Sequence, residues 1–421
     1  MRHRAGAIVV LVAVASSVLV GSSAFVGVTP AQADYIRDGE YWLDQYGIRE
    51  AWNTTKGDGV TIAIIDTGID SSHPDLGNAV VGGADFSGLG ASNGQEPVGS
   101  GNSDHGTMVA SLAAGRGSAV GVGVIGAAPE ADLLSISIGF GEGSTDSDEQ
   151  VAEAVKWAVD NGADVINMSL TRNTLSWPQS WDDAFLYAME NDVVIIAAAG
   201  NRGSGTTSVG APATMPGVLT VAGVDRNREA STDASAQGIT IGVSAPSEQL
   251  LGAVPGGGVV LWDGTSGATP IVAGVAALVI AAHPELDAAN VINRIVSTAT
   301  PAGADGPDPI YGFGLMDAAA AVEDDVEAVT ENPMGDLAAW ITVNRRAAST
   351  ATPTLPPVAP VEPDDETIVA APISPLGTMY PTMTQLRDVG LPLAIVLVFV
   401  TIFGLLVTFS TRQFRSLRRK E

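Results

Sequence analysis

An α/β domain with a mainly parallel sheet flanked by helices, followed by a C-terminal transmembrane helix, is the fold class the sequence predicts. Three observations carry it. Short β-branched runs, apolar at nearly every position, recur between about residues 35 and 325, as strands buried on both faces require. Helical patterns fall between several of these runs, and the alternation βαβα selects a parallel sheet. Near the other end, Val389 to Phe409 is a 21-residue stretch without a charge; at about 1.5 Å per residue it spans roughly 30 Å, the thickness of a bilayer core.

Residues 1–33 read as a secretory signal, with Arg2 and Arg4 as its basic start, Ala7 to Val20 as its apolar run, and Ala31-Gln32-Ala33 as a small-x-small cleavage site. The domain then occupies 34–325. Its strands are expected at 61–65, 132–138, 164–168, 193–197 and 218–221, and its helices at 106–114, 148–161, 181–191 and 266–282. From 326 to 388 Pro, Ala, Thr and acidic residues dominate, as in Thr350-Ala-Thr-Pro-Thr-Leu-Pro-Pro357, too poor in bulky apolar groups to pack, so a stalk of extended chain is expected. The span 389–409 precedes a basic tail, 410–421, holding Arg412, Arg415, Arg418, Arg419 and Lys420. Positive charges stay in the cytoplasm, which places the domain outside the cell on a single-pass membrane anchor.

Composition removes several function classes. With 20 Lys+Arg against 47 Asp+Glu the net charge is −27, the wrong sign for a nucleic-acid binder. The chain has no Cys, which excludes disulfides, thiolate metal sites, a Cys nucleophile and a lipidated cysteine. The apolar share of 46% against 16% charged residues excludes a wholly disordered chain.

Scarcity narrows the search for chemistry, since the chain has four His. His3 lies in the signal, His283 ends a helix where a cap is its natural role, and His73 stands before Pro74 in a turn. His105, in Ser103-Asp-His-Gly-Thr107, opens a helix after a polar loop. No HExxH or paired His exists, so a catalytic zinc site has no ligand set. Asp66 ends an apolar strand, at the carboxyl edge where α/β sites lie. Ser266, in Asp263-Gly-Thr-Ser-Gly-Ala-Thr-Pro270, stands at a helix start, with its own amide and the positive helix end beside it. Asn201 follows Gly200 where a buried strand runs out. Taken singly, each has a plain structural reading: a turn residue, a helix-start residue, an N-cap, a turn former. Taken together, a carboxylate, an imidazole, a hydroxyl and an amide donor are the parts of nucleophilic acyl transfer.

At these four segments the chain resembles the subtilisin-like serine proteases, over roughly residues 40 to 322. The likeness lies in Ile-Ile-Asp66-Thr-Gly-Ile-Asp, His105-Gly-Thr-Met-Val-Ala and Gly-Thr-Ser266-Gly-Ala-Thr-Pro, in the order Asp, His, Ser, and in Asn201; Val165-Ile-Asn-Met-Ser-Leu170, Gly126-Ala-Ala-Pro129 and Tyr311-Gly-Phe-Gly-Leu315 extend it. The resemblance implies a subtilisin-like single catalytic domain and a serine endopeptidase with Asp66, His105 and Ser266 as its triad and Asn201 at the oxyanion. Substrate would lie along Ile138, Gly139, Phe140 and Gly141, pairing by β-augmentation, and along Ser169, Leu170, Thr171, Ala199 and Gly200. Signal, stalk and anchor are most like the mycosins, membrane-anchored proteases of type VII secretion systems, so a secreted or secretion-system protein is the implied substrate and a secretion-system membrane complex the implied partner. The alternative is a structural component that stabilises such a complex, with incidental proteolysis. No cofactor is required; calcium, common among subtilisin-like proteases, has no defined ligand pattern here and remains an optional structural ion.

Three departures stand out. Mycosins commonly carry Cys pairs, absent here. The residue after the nucleophile, usually Met, Phe or Tyr, is Gly267, which is expected to loosen packing beneath Ser266. Thr171 stands where many members have a Gly lining the P1 pocket, and the loop Arg172 to Trp181, with Trp177 and Trp181, is expected to overhang the cleft.

Overall fold

The computed structural model describes residues 30–143 and 145–346. The apolar run of the proposed signal, the stalk beyond 346, the proposed span 389–409 and the basic tail 410–421 lie outside the described residues.

Three short helices, α1 (Pro30–Gly39), α2 (Trp42–Gln45) and α3 (Ile48–Ala51), precede β1 (Thr61–Asp66) and β2 (Val80–Asp85). Then follow α4 (His105–Ala114), β3 (Asp132–Ser137), α5 (Ser147–Asp160), β4 (Val165–Met168), α6 (Gln179–Glu190), β5 (Val194–Ala198), β6 (Leu219–Val224) and β7 (Ile241–Pro246). A hairpin of β8 (Leu250–Ala253) and β9 (Val259–Trp262) leads into α7 (Thr265–Ala282), α8 (Ala288–Ser297), α9 (Ala318–Glu323) and α10 (Leu337–Ile341). The first seven strands form one sheet in the order β2-β3-β1-β4-β5-β6-β7, and every pairing in it is parallel.

Successive residues of a strand point to opposite faces, and both faces of this sheet are covered. Ile62 and Ile64 of β1 join Val165, Ile196 and Val221 beneath α4, α7 and α8. Ala63 and Ile65 join Ile136, Ile166 and Met168 beneath α5 and α6. That two-sided burial is why the strands read as continuous apolar runs. Among the described helices α7 alone is long and apolar enough to cross a membrane, with a mean hydropathy of 1.8 over 18 residues, but 78% of it is buried inside the domain. It is the central core helix, with Pro270 inside it rather than in its first turn; the carbonyl of Ser266, left without the i→i−4 donor that proline lacks, accepts from Ser169 Oγ at 2.9 Å instead. Part of the acidic excess serves as caps: the carboxylates of Asp146, Asp287, Asp317 and Asp336 accept backbone N–H groups at the starts of α5, α8, α9 and α10.

Two features differ from the sequence expectation. The strands β2, β7, β8 and β9 are additional, and all carry glycine or exposed positions that break the apolar signal. β7 stands last in the strand order yet is wholly buried, because the segment around Leu315 runs along it, with Ser244 N–H donating to Gly314 O and Met316 N–H to Ser244 O, each 2.9 Å. The folded chain also continues past 325. Leu337 is buried, Trp340 packs on Trp177 at 4.3 Å between ring centroids, and Arg345 pairs with Asp182 at 2.8 Å. Three well-placed side chains dock the segment where its average composition suggested none would.

Candidate active site

Strand order reverses at β1, whose neighbours are β3 on one side and β4 on the other. At such a switch point the loops leaving the carboxyl ends part and open a crevice. Asp66, the last residue of β1, stands at its floor and is fully buried. A buried carboxylate needs partners, and it has two. Its Oδ1 accepts the Thr67 N–H at 2.8 Å, and both its oxygens lie on His105 Nδ1, at 2.8 and 2.9 Å.

His105 is the first residue of α4, and the helix start is fixed to the end of β1. Gly106 N–H donates to Thr67 Oγ1 at 2.9 Å, and Thr67 Oγ1 donates to Ser103 O at 3.0 Å. A side chain at Gly106 would put its Cβ 2.3 Å from the Gly68 carbonyl oxygen, so only glycine lets the helix approach this closely. The imidazole is mostly covered, at 13% side-chain exposure. Burial pushes its pKa down, the Asp66 charge and hydrogen bond push it up, and the net result lies above the ordinary value.

Ser266 is the second residue of α7 and is half-buried. Its hydroxyl donates to Ser169 O at 3.2 Å, and Ser169 Oγ returns a bond to Ser266 O at 2.9 Å. Asn201 leaves β5 with its side-chain carbonyl taken twice, by Thr265 N–H and Thr265 Oγ1, each at 2.8 Å. Those two donors fix which end of the amide is oxygen and leave Nδ2 as the donor beside α7.

His105, Ser266, Asn201, Phe140, Leu170 and Thr171 line one cleft of about 420 Å³, to which Ser169 and Gly200 also contribute. Ala199 is buried and does not line it. Ile138, Gly139 and Gly141 do not line this cleft, and that edge is already largely paired. Ile138 N–H donates to Asp66 O, Gly139 N–H to Gln150 Oε1, Gly141 N–H to Ser147 Oγ, while Gly139 O accepts from Ser147 Oγ. Phe140, 50% exposed, is the member of that segment that reaches the cleft. The Trp177 and Trp181 rings do not overhang it either. Both are buried in the core on the α5–α6 face of the sheet, Trp181 from the first turn of α6 itself, with indole N–H groups bonded to Asp182 Oδ1 and Asp148 O.

Among the described residues no group of three or more His, Asp or Glu could hold a metal ion. His283 stands at the C-cap of α7, its Nε2 2.7 Å from Val322 O. His73 is buried between the Asp75 N–H, which Nδ1 accepts, and the Gly258 backbone. Sequence reasoning missed Thr265, which orients Asn201, and Trp262, which packs against His105; the signal for the first was its place immediately before Ser266.

A family model described as the subtilase family matches residues 57–314. Subtilisin E of Bacillus subtilis (strain 168) is 38% identical over 269 residues, 63% of this chain and 66% of that protein's own length. Among solved structures, the MycP3 protease from the type VII (ESX-3) secretion system superposes with a TM-score of 0.58 at 32% identity, covering 68% of this chain and 88% of that one. MycP1 from Mycobacterium smegmatis does so with a TM-score of 0.57 at 31% identity, covering 68% and 85%.

Proposed function

The chain belongs to the subtilase family, and on that premise we propose that it is a serine endopeptidase, held outside the cell by a C-terminal membrane helix, that processes a secreted or secretion-system protein. The observation that carries the chemistry is the buried Asp66 carboxylate on His105 Nδ1, in the same cleft as Ser266 and Asn201. Both carboxylate oxygens on Nδ1 keep the proton there, so Nε2 is the free acceptor.

In the proposed reaction the Ser266 hydroxyl turns from the Ser169 carbonyl to His105 Nε2 and attacks the peptide carbonyl carbon as its proton passes to Nε2. The carbonyl oxygen becomes an oxyanion held by Asn201 Nδ2 and the Ser266 amide at the positive end of α7. His105 then gives the proton to the leaving amine, the C–N bond breaks, and an acyl ester remains on Ser266. Water, deprotonated by the same imidazole, releases the acid and restores the hydroxyl.

The extracellular anchor is supported by the charge-free stretch 389–409 and the basic residues after it, and the secretion role by likeness to MycP3 and MycP1. The test is a comparison of the full chain with Ser266→Ala. The wild type is expected to cleave a fluorogenic peptide, to react with a fluorophosphonate at Ser266, and to change the fragments found among secreted proteins; the variant should do none of these. Equal peptide cleavage by both would refute the proposal.

A further inference from the structure

We propose that Trp262 is a positioning residue for His105, and that position 267 is glycine because Trp262 and Leu250 occupy the space beneath Ser266. This rests on His105 being the base of the proposed peptidase.

The space at Gly267 is filled rather than loose. A Cβ there would lie 2.4 Å from Leu250 Cδ1, 3.3 Å from Trp262 Cζ2 and 3.4 Å from Leu112 Cδ1. The first distance is inside any real contact, so a side chain at 267 has to displace Leu250. Leu250 and Trp262 are direct cross-strand partners in the β8–β9 hairpin, and pressure on one is passed to the other. Trp262 in turn meets the His105 ring in a T-shaped contact, 5.9 Å between centroids and 77° between planes.

The hairpin that presents this indole is anchored at several points. Ala253 N–H donates to Ser111 Oγ on α4, the helix that carries His105, at 3.0 Å. Gly256 N–H donates to Asp70 Oδ2 at 2.8 Å, and the Gly258 backbone is held by His73. Trp262 Nε1 is buried without a hydrogen-bond partner, which costs free energy. The ring is therefore kept at this place for its bulk, not for its donor. Asp66 fixes the imidazole through Nδ1, and Trp262 restricts the ring's remaining freedom while covering it from water.

Full-chain Trp262→Leu and Trp262→Phe, with Gly267→Ala alone and combined with Leu250→Ala, test this. Fluorophosphonate titration of Ser266 puts each rate on a per-folded-site basis. Trp262→Leu is expected to lower kcat by about 10- to 100-fold, the effect of a misplacement of about 1 Å, with KM little changed, and Trp262→Phe to recover most of it. Asp66 on β1 is the charge that acts on His105; it, Asp104 before His105 in the chain and Asp263 on the same cleft are unchanged in these variants. Burial is the largest influence on the imidazole and pushes its pKa down, so uncovering the ring should move the acid limb of kcat/KM to higher pH. Gly267→Ala should also lower kcat, and Leu250→Ala should partly restore it in the double variant.

Wild-type kcat and an unmoved acid limb in Trp262→Leu would overturn the proposal, as would a loss confined to KM or strictly additive effects of Gly267→Ala and Leu250→Ala. A wild type that neither labels at Ser266 nor turns over peptide would overturn the peptidase reading itself, and this inference with it.

Discussion

Glu40 offers a measurable link between pH and stability. It follows α1, is 1% exposed, and holds the N-terminal segment to the domain by accepting Ile125 N–H at 2.6 Å and Arg37 Nη1 at 2.9 Å. Burial pushes its carboxyl from 4.5 up to about 7; the Ile125 hydrogen bond and the Arg37 charge offset this only in part. A raised folded-state pKa means that the native chain binds this proton more tightly than the unfolded chain does. The stabilisation is therefore complete below about pH 4.5 and is lost as pH rises through about 7. Over that interval, at about 1.36 kcal/mol per pH unit, the loss comes to about 3 kcal/mol. Glu40→Gln keeps the shape and the acceptor for Ile125 but cannot ionise. In urea unfolding at pH 4 and pH 8, the stability of Glu40→Gln relative to wild type should rise by about 3 kcal/mol between the two, the Arg37 pairing being already contained in the net shift. A difference that stays constant would refute the reasoning, because it would mean that Glu40 is equally ionised in both states throughout.

Two further predictions concern the candidate triad and oxyanion donor. Asp66→Asn should keep the fold and lower kcat by about 10⁴, since an amide favours the wrong imidazole tautomer; the wild-type acid limb of kcat/KM should lie above about 6.5, because burial, the largest single influence at His105, is outweighed by the Asp66 charge and hydrogen bond together. Near-normal turnover in that variant would sink the triad assignment. Asn201→Ala should lower kcat by about 10² to 10³ with KM nearly unchanged, and Thr265→Ala should give a smaller loss in the same direction by freeing the amide to rotate; a loss seen only in KM would make Asn201 a wall of the cleft.

What was legible in the sequence was whatever local chemistry writes along the chain. Asp66 stands where an apolar strand ends, His105 and Ser266 where helices begin, and Asn201 where a strand runs out, so each placement could be read from its own neighbours, while their joint role rests on the resemblance of the four segments taken together. What was hidden depends on partners far away. The edge at Gly139 looks free until Gln150 and Ser147 of α5 reach back to it. Gly267 looks like a void until Leu250 and Trp262 are found in the space, brought there by a hairpin of one short buried strand broken by Gly252 and one strand with exposed positions. Trp177 and Trp181 follow the cleft wall in sequence but turn into the core, where Asp182 and the Asp148 carbonyl satisfy their N–H groups. The docking of 326–346 escaped notice for the same reason, since its anchors Leu337, Trp340 and Arg345 are sparse in sequence and meet their partners only in space.

With the Trp177 and Trp181 rings turned inward, the cleft wall itself is the place to look for specificity, and Thr171 is the residue to test. It lines the cleft beside Leu170 and Gly200. Its hydroxyl donates to Arg172 O at 3.1 Å, which holds the side chain in one rotamer, and its Cγ2 would lie 3.2 Å from a Cβ at Gly200. The methyl thus closes toward the opposite wall at a point where glycine would leave space. If this is the P1 wall, Thr171→Gly should raise kcat/KM for Phe or Tyr at P1 relative to Ala. A change of one or two carbons in such a pocket is worth about 1 to 3 kcal/mol, or roughly 10- to 200-fold, and the lower end applies because a freed glycine backbone loses some of the wall's rigidity. A library of fluorogenic peptides differing only at P1 measures the ratio. An unchanged profile would show that substrate does not lie against Thr171, and Phe140, exposed elsewhere on the same cleft, would then be the side chain that sorts substrates.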